Sequence, residues 1–156
     1  MKPIGIVVHC TAGRKTASAE DINQVHVRER GWSMIGYHYL IRRDGNSWVV
    51  EAGRPEYAMG AHCKENKRNY THLGVAVAGN YETEPIEEEA FQLLLDWVTE
   101  LAAKYEMDVE NITYHRREQQ SAGVKHPKAC PGKYIINRWS ELIEEVSLRL
   151  PTPGNP

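Results

Sequence analysis

The sequence predicts a single α/β domain in which a central mixed β-sheet is flanked by helices. Three observations carry that expectation. The chain has 156 residues, the size of one ordinary domain whose core needs no disulfides. Short apolar runs rich in β-branched residues alternate with amphipathic helical patterns, the order expected of a layered α/β fold. Two of those runs end at a histidine, His9 and His115, and each opens into a polar loop. Strand ends of this kind are where α/β proteins build their sites.

Ile4 to His9 reads as a buried strand. Ser18 stands three residues before Asp21, an N-cap signature, and Ile22, Val25 and Val27 outline a short helix stopped by Gly31. Tyr37–Arg43 and Ser47–Glu51 flank Asp44-Gly45, a hairpin signal because such turns need positive φ. Leu73–Ala78 is a second central strand, bounded by His72 and by Gly79-Asn80. Phe91, Leu94, Leu95, Val98, Leu101 and Ala102 form one apolar stripe, which predicts a helix from about Ile86 to Tyr105 with Pro85 suited to its first turn. Asn111–His115 is another short strand, followed by a polar loop to Cys130. A last helix is expected over Lys133–Arg149, and the domain over 1–150. The proline-rich stretch 151–156 cannot continue that helix and is expected to be a flexible tail.

Hydrophobic residues make up 41% of the chain and charged residues 26%, with 12 Gly and 8 Pro dispersed along it. That composition excludes disordered, collagen-like and membrane-spanning classes. With 19 Lys+Arg against 21 Asp+Glu, the net charge of -2 provides no field to hold a nucleic-acid backbone. No nucleic acid and no stable membrane association are therefore expected, and nothing demands more than a monomer. The apolar run after Met1 is too short for a signal-peptide core, so the protein is expected to stay where it is made until something releases it. Cys10, Cys63 and Cys130 cannot all pair internally, and free thiols or a metal ligand is the better reading.

A catalytic zinc site supplies three nitrogen or thiolate ligands and leaves a fourth position open. His9, His115 and Cys130 can do this, with both histidines at strand ends and the Cys130 loop folding back over them. By spacing alone, any of His26, His38, His62, His72 and His126 could enter such a triplet.

Six segments in order narrow the choice. Val7-Val8-His9-Cys10-Thr11-Ala12, Gly36-Tyr37-His38-Tyr39-Leu40-Ile41 with Arg43-Asp44-Gly45, Val50-Glu51-Ala52-Gly53-Arg54, Gly60-Ala61-His62, Leu73-Gly74-Val75-Ala76-Val77 and Lys128-Ala129-Cys130-Pro131 resemble the zinc-dependent N-acetylmuramoyl-L-alanine amidases of the phage-lysozyme type. That family shares its fold with peptidoglycan-recognition proteins, and the resemblance runs from about residue 6 to Trp139. It implies that His9, His115 and Cys130 bind Zn2+ and that Tyr37 and Lys128 assist catalysis. The implied substrate is peptidoglycan, at the amide between the lactyl group of N-acetylmuramic acid and the first alanine of the stem peptide. His62 resembles a groove residue that touches the muramyl peptide; Thr11 and Asn80 are further groove candidates. The segment from His115 to Cys130 is longer than in the most compact members and contains His126, so His115 is preferred for its place after a strand.

The chemistry agrees with the resemblance. An amide needs a strong nucleophile, a stabiliser for the oxyanion and a proton for the departing nitrogen. Lys128, two residues from a thiolate ligand, would meet the oxyanion; Tyr37 would hydrogen-bond the attacking water or pass a proton, drawn towards phenolate character by the nearby zinc and lysine charges. Cys10 should face away from the metal, His38 should belong to the core, and Cys63 should be structural or idle.

A catalytic domain of this kind without a leader resembles a phage or prophage endolysin, held in the host bacterial cytoplasm until a membrane pore releases it to the wall. Other readings are a cytosolic wall-recycling amidase, a non-catalytic recognition module, and a cysteine hydrolase using Cys130 or Cys63. Recycling relatives usually carry Asp where this chain has Cys130, and recognition modules usually lose the cysteine.

Overall fold

A computed structural model describes residues 1–151. Its centre is a five-stranded sheet in the order β3-β2-β4-β1-β5. The strands are β1 (Gly5–Cys10), β2 (Tyr39–Asp44), β3 (Ser47–Ala52), β4 (His72–Val77) and β5 (Ile112–Tyr114). β1 is parallel to β4 and β5, β2 is parallel to β4, and only β3 runs antiparallel, as the second arm of a hairpin. The sheet is mixed, as the sequence predicts. The expected tail lies, beyond Pro151, outside the described residues.

The two faces of the sheet are covered differently, and strand alternation decides how. Ile6 and Val8 of β1, Leu73, Val75 and Val77 of β4, Ile41 and Ile112 point to the larger core. There they meet α3 (Glu88–Lys104), whose Phe91, Leu94, Leu95, Val98 and Leu101 are buried along the stripe read from the sequence, and α6 (Trp139–Arg149). The opposite face carries Leu40, Ala76 and Ala78, which pack with Ile22 and Ile35 in a much smaller cluster. β4 presents Gly74 and Ala76 next to Val7 and His9 there, so the floor is low and leaves room above it.

α1 (Ala19–Arg30) opens with the expected capping box: Asp21 N–H donates to Ser18 Oγ at 3.1 Å and Ser18 N–H donates to Asp21 Oδ2 at 2.9 Å. It closes at Gly31, which adopts φ 66°. Its buried residues are Ile22 and His26, whereas Val25 and Val27 are exposed, because Gly36 N–H donates to His26 Nδ1 at 3.0 Å and turns that face inward. The hairpin turn falls one residue later than expected, on Gly45-Asn46, with Gly45 at φ 62°. A positive φ at the first central residue is what glycine supplies.

Three other expectations shift. α3 begins at Glu88, after Pro85. The expected polar loop after β5 begins with α4 (His115–Ser121), whose inward side chains are His115, Glu118 and Gln119. Polar anchors replace the apolar stripe there: Asn66 Nδ2 and Arg68 Nε donate to Glu118 Oε2 at 2.6 and 2.9 Å. These bonds tie the segment around α2 (Arg68–Thr71) to α4. The last helix is two, α5 (Lys133–Ile136) and α6, parted where Arg138 binds Glu88 and Glu141, each at 2.9 Å, and lies over the Phe91 ring.

Candidate active site

The cleft lies over the thinly covered face, near the C-terminal ends of the parallel strands. It has a volume of about 460 Å³ and is lined by His9, Thr11, Tyr37, His62, Asn80, His115, Lys128 and Cys130 among others. All eight residues singled out in the sequence therefore meet in one place. The walls also include His26, Arg30 and Trp32, at the end of α1 and just beyond it, which motif reading passed over.

His9 is the penultimate residue of β1 and is 1% exposed. His115 follows β5 as the first residue of α4, and Cys130 arrives on the segment pinned to α4 by the Arg116 N–H, which donates to Cys130 O at 2.9 Å. One ligand atom from each of the three lies within 4.8 Å of the others. The Cys130 thiol stands 3.6 Å from His9 Nδ1 and accepts the Cys10 N–H at 3.4 Å. His126 is exposed on the loop between and is not part of this group.

Burial holds His9 well below the ordinary histidine range, helped by neighbouring His62 and His115 and by the Lys128 charge. His115 is lowered first by burial, against the pull of Glu65. Two neutral imidazoles and a thiol, with an N–H directed at the sulfur, form the nitrogen and sulfur donor set that zinc prefers. Lys128 is exposed at the cleft edge, its backbone N–H donating to Gln119 Oε1 at 2.6 Å.

Tyr37 precedes β2 rather than lying on it, and its ring sits 5.3 Å from that of His9. Among protein groups alone its phenol is pushed up, by burial first and then by the nearby Cys130 and Cys10 sulfurs. His38 is fully buried, as expected, and its ring lies 5.7 Å from that of His62. His38 Nε2–H donates to Ala58 O and its Nδ1 accepts the Gly74 N–H, both at 2.9 Å.

Of the groove candidates, Thr11 Oγ1 accepts the Gly79 N–H at 3.1 Å and Asn80 Oδ1 accepts the Glu82 N–H at 3.2 Å, so both also shape the loops that carry them. His62 lines the cleft but is only 8% exposed. Cys10 packs into the larger core as alternation requires, though close enough to Cys130 for the two thiols to interact. Cys63 is buried beside Glu65, and its thiol donates to Glu65 Oε2 at 3.5 Å. Glu65 itself was missed, because a glutamate in a charged run carries no motif.

Residues 1–133 match the N-acetylmuramoyl-L-alanine amidase family, and the chain belongs to it. That family's N-acetylmuramoyl-L-alanine amidase activity is supported by two kinds of relative. The chain is 36% identical over 149 residues to the endolysins of Escherichia phage T7 and Enterobacteria phage T3, across 91% of this chain and 88% of each endolysin. Among solved structures it is similar to N-acetylmuramoyl-L-alanine amidase LysC from Clostridium intestinale URNW, with a TM-score of 0.76, 28% identity, and coverage of 97% of this chain and 88% of LysC. Drosophila PGRP-LB shares the fold at TM-score 0.72 and 22% identity, over 90% of this chain and 82% of its own.

Proposed function

We propose that His9, His115 and Cys130 hold a zinc ion, and that the enzyme cleaves the amide between N-acetylmuramic acid and L-alanine of peptidoglycan during lysis of a bacterial host. The convergence of these three donors in the family's fold, on the floor of a cleft, is the observation that carries the reading. When bound, zinc supplies Lewis acidity for the scissile carbonyl and lowers the pKa of a water to about 7.

The chain's own residues supply the rest. Cys10 N–H stabilises negative charge on the Cys130 sulfur, as N–H groups do for any buried anion. Lys128, a residue of the cleft lining, supplies the ammonium that meets the charge developing on the carbonyl oxygen. Tyr37, whose ring sits beside that of His9, hydrogen-bonds the attacking water or passes a proton to the departing nitrogen. Thr11 and Asn80 border the groove in which the muramyl peptide lies.

The catalytic domain spans 1–150 and acts as a monomer. Like the phage endolysins it resembles, it is held in the host cytoplasm and reaches the wall on release; no helix among the described residues is long and apolar enough to cross a membrane. Purified protein should release stem peptides with an alanine amino terminus from peptidoglycan and leave the glycan intact. Release of sugar fragments instead, or of nothing from folded, zinc-loaded protein, overturns the reading; the latter outcome would favour a recognition module.

A further inference from the structure

Two buried groups, the His62 ring and the His72 carbonyl, form a chain behind His9. His62 Nε2 lies 3.0 Å from the backbone oxygen of His72, and His62 Nδ1 lies 3.0 Å from His9 Nε2. On the far side of its ring, His9 Nδ1 faces the Cys130 sulfur. A carbonyl oxygen only accepts, so the neutral His62 ring must carry its proton on Nε2. Its Nδ1 is then a lone pair and can only accept, which obliges His9 to carry its proton on Nε2. His9 Nδ1 is left unprotonated, the state a metal ligand requires.

The His62 ring has no freedom to break this order by turning. Its backbone N–H is fixed on Asn69 Oδ1 at 2.7 Å. The ring fits between two glycines: a Cβ at Gly74 would come within 2.6 Å of its Cγ, and one at Gly60 within 2.4 Å of its Cδ2. Since essentially no side chain tolerates such distances, the backbone at both positions is shaped around this imidazole. Its only slight exposure makes it a poor surface for a substrate.

We propose that His62 is a positioning residue: anchored on the His72 carbonyl, it selects the His9 tautomer whose Nδ1 is free to bind metal. This rests on the zinc-site reading above and replaces the sequence expectation that His62 touches the muramyl peptide. A ligand whose proton must be moved before it can bind is weakened by the free energy of that move, and loss of such outer partners typically lowers metal affinity roughly 10–100-fold.

The test uses metal-free protein labelled with ¹⁵N-histidine, read by long-range proton–nitrogen NMR, together with zinc affinity from competition with a chromophoric chelator. In the unmodified protein His9 should appear as the Nε2–H form. His62→Leu, which fills the space without an acceptor, should lose that single form and bind zinc roughly 10–100-fold more weakly. His62→Asn keeps an acceptor oxygen near the place of Nδ1 and should recover much of the loss. An Nδ1–H His9 in the unmodified protein overturns the proposal without any variant having to fold. So does a folded His62→Leu protein with zinc affinity within about twofold of normal and only a raised KM, which would restore the substrate-contact role. His9→Ala separates the two readings: if it too binds zinc normally, the metal site itself is wrong.

Discussion

Glu65 Oε2 lies 3.5 Å from His115 Nε2, with both side chains buried. Gln119 Nε2 donates to the other Glu65 oxygen at 3.3 Å, so the carboxylate is held in place from α4. Carboxylates behind ligating histidines fix the ring and raise its basicity. Glu65→Ala should therefore weaken zinc affinity roughly 10–100-fold, with far-UV circular dichroism unchanged. Competition with a chelator measures it. Cys63, Glu65 and His115 form a second close donor group, but it shares His115 with the first, so elemental analysis should find one zinc per chain and not two.

Lys128→Ala should keep zinc and lose turnover. The side chain is exposed, so the fold should not change. Loss of one group that stabilises an oxyanion lowers kcat by about 10²–10³-fold. A normal rate in a zinc-loaded Lys128→Ala enzyme would remove that role.

Tyr37→Phe isolates the phenol O–H. The ring remains to pack beside His9, while a proton-transfer or orienting contribution of about 10²-fold or more disappears. Full turnover by the variant would show that Tyr37 serves only as a wall of the cleft.

Acid should destabilise the metal-free protein through its buried histidines. His26 and His72 are each lowered to about 4, by burial first and then by nearby arginines. As pH falls through about 6.5 the unfolded chain takes up protons that the folded chain refuses, so stability is full above that value and declines towards pH 4. The melting temperature should fall steadily between pH 7 and 5. His26→Asn, which keeps an acceptor for the Gly36 N–H, should flatten that slope. An unchanged slope would contradict the assignment.

The fold was largely legible because apolar periodicity is a local signal. β1, β4 and α3 each bury a continuous run or stripe, and the structure places them where that pattern demands. α4 was not legible, since it is held by Glu118, Gln119 and their polar partners, and such bonds leave no periodic trace. The same reason hid Glu65, whose partner His115 is fifty residues away. His9, Tyr37, Lys128 and Cys130 could be singled out because short motifs carry them. The layer behind them, including the His72 carbonyl that anchors His62, is set by backbone geometry and needed the three-dimensional arrangement.

Core packing against α3 gives an independent check of the fold. Leu94 is fully buried in the larger core, and Leu94→Ala should reduce stability by about 2–5 kcal/mol in denaturant titration. A change below about 1 kcal/mol would mean that α3 does not pack as described.

The central claim is a metal-dependent amidase, and mass spectrometry of digested peptidoglycan tests it most directly. Purified peptidoglycan is incubated with the zinc-loaded protein and, in parallel, with protein stripped by a chelator. The expected result is stem peptides beginning with alanine beside intact glycan in the first sample, and no products in the second until zinc is restored. Undiminished cleavage by the stripped protein would contradict the metal assignment and point to a thiol mechanism.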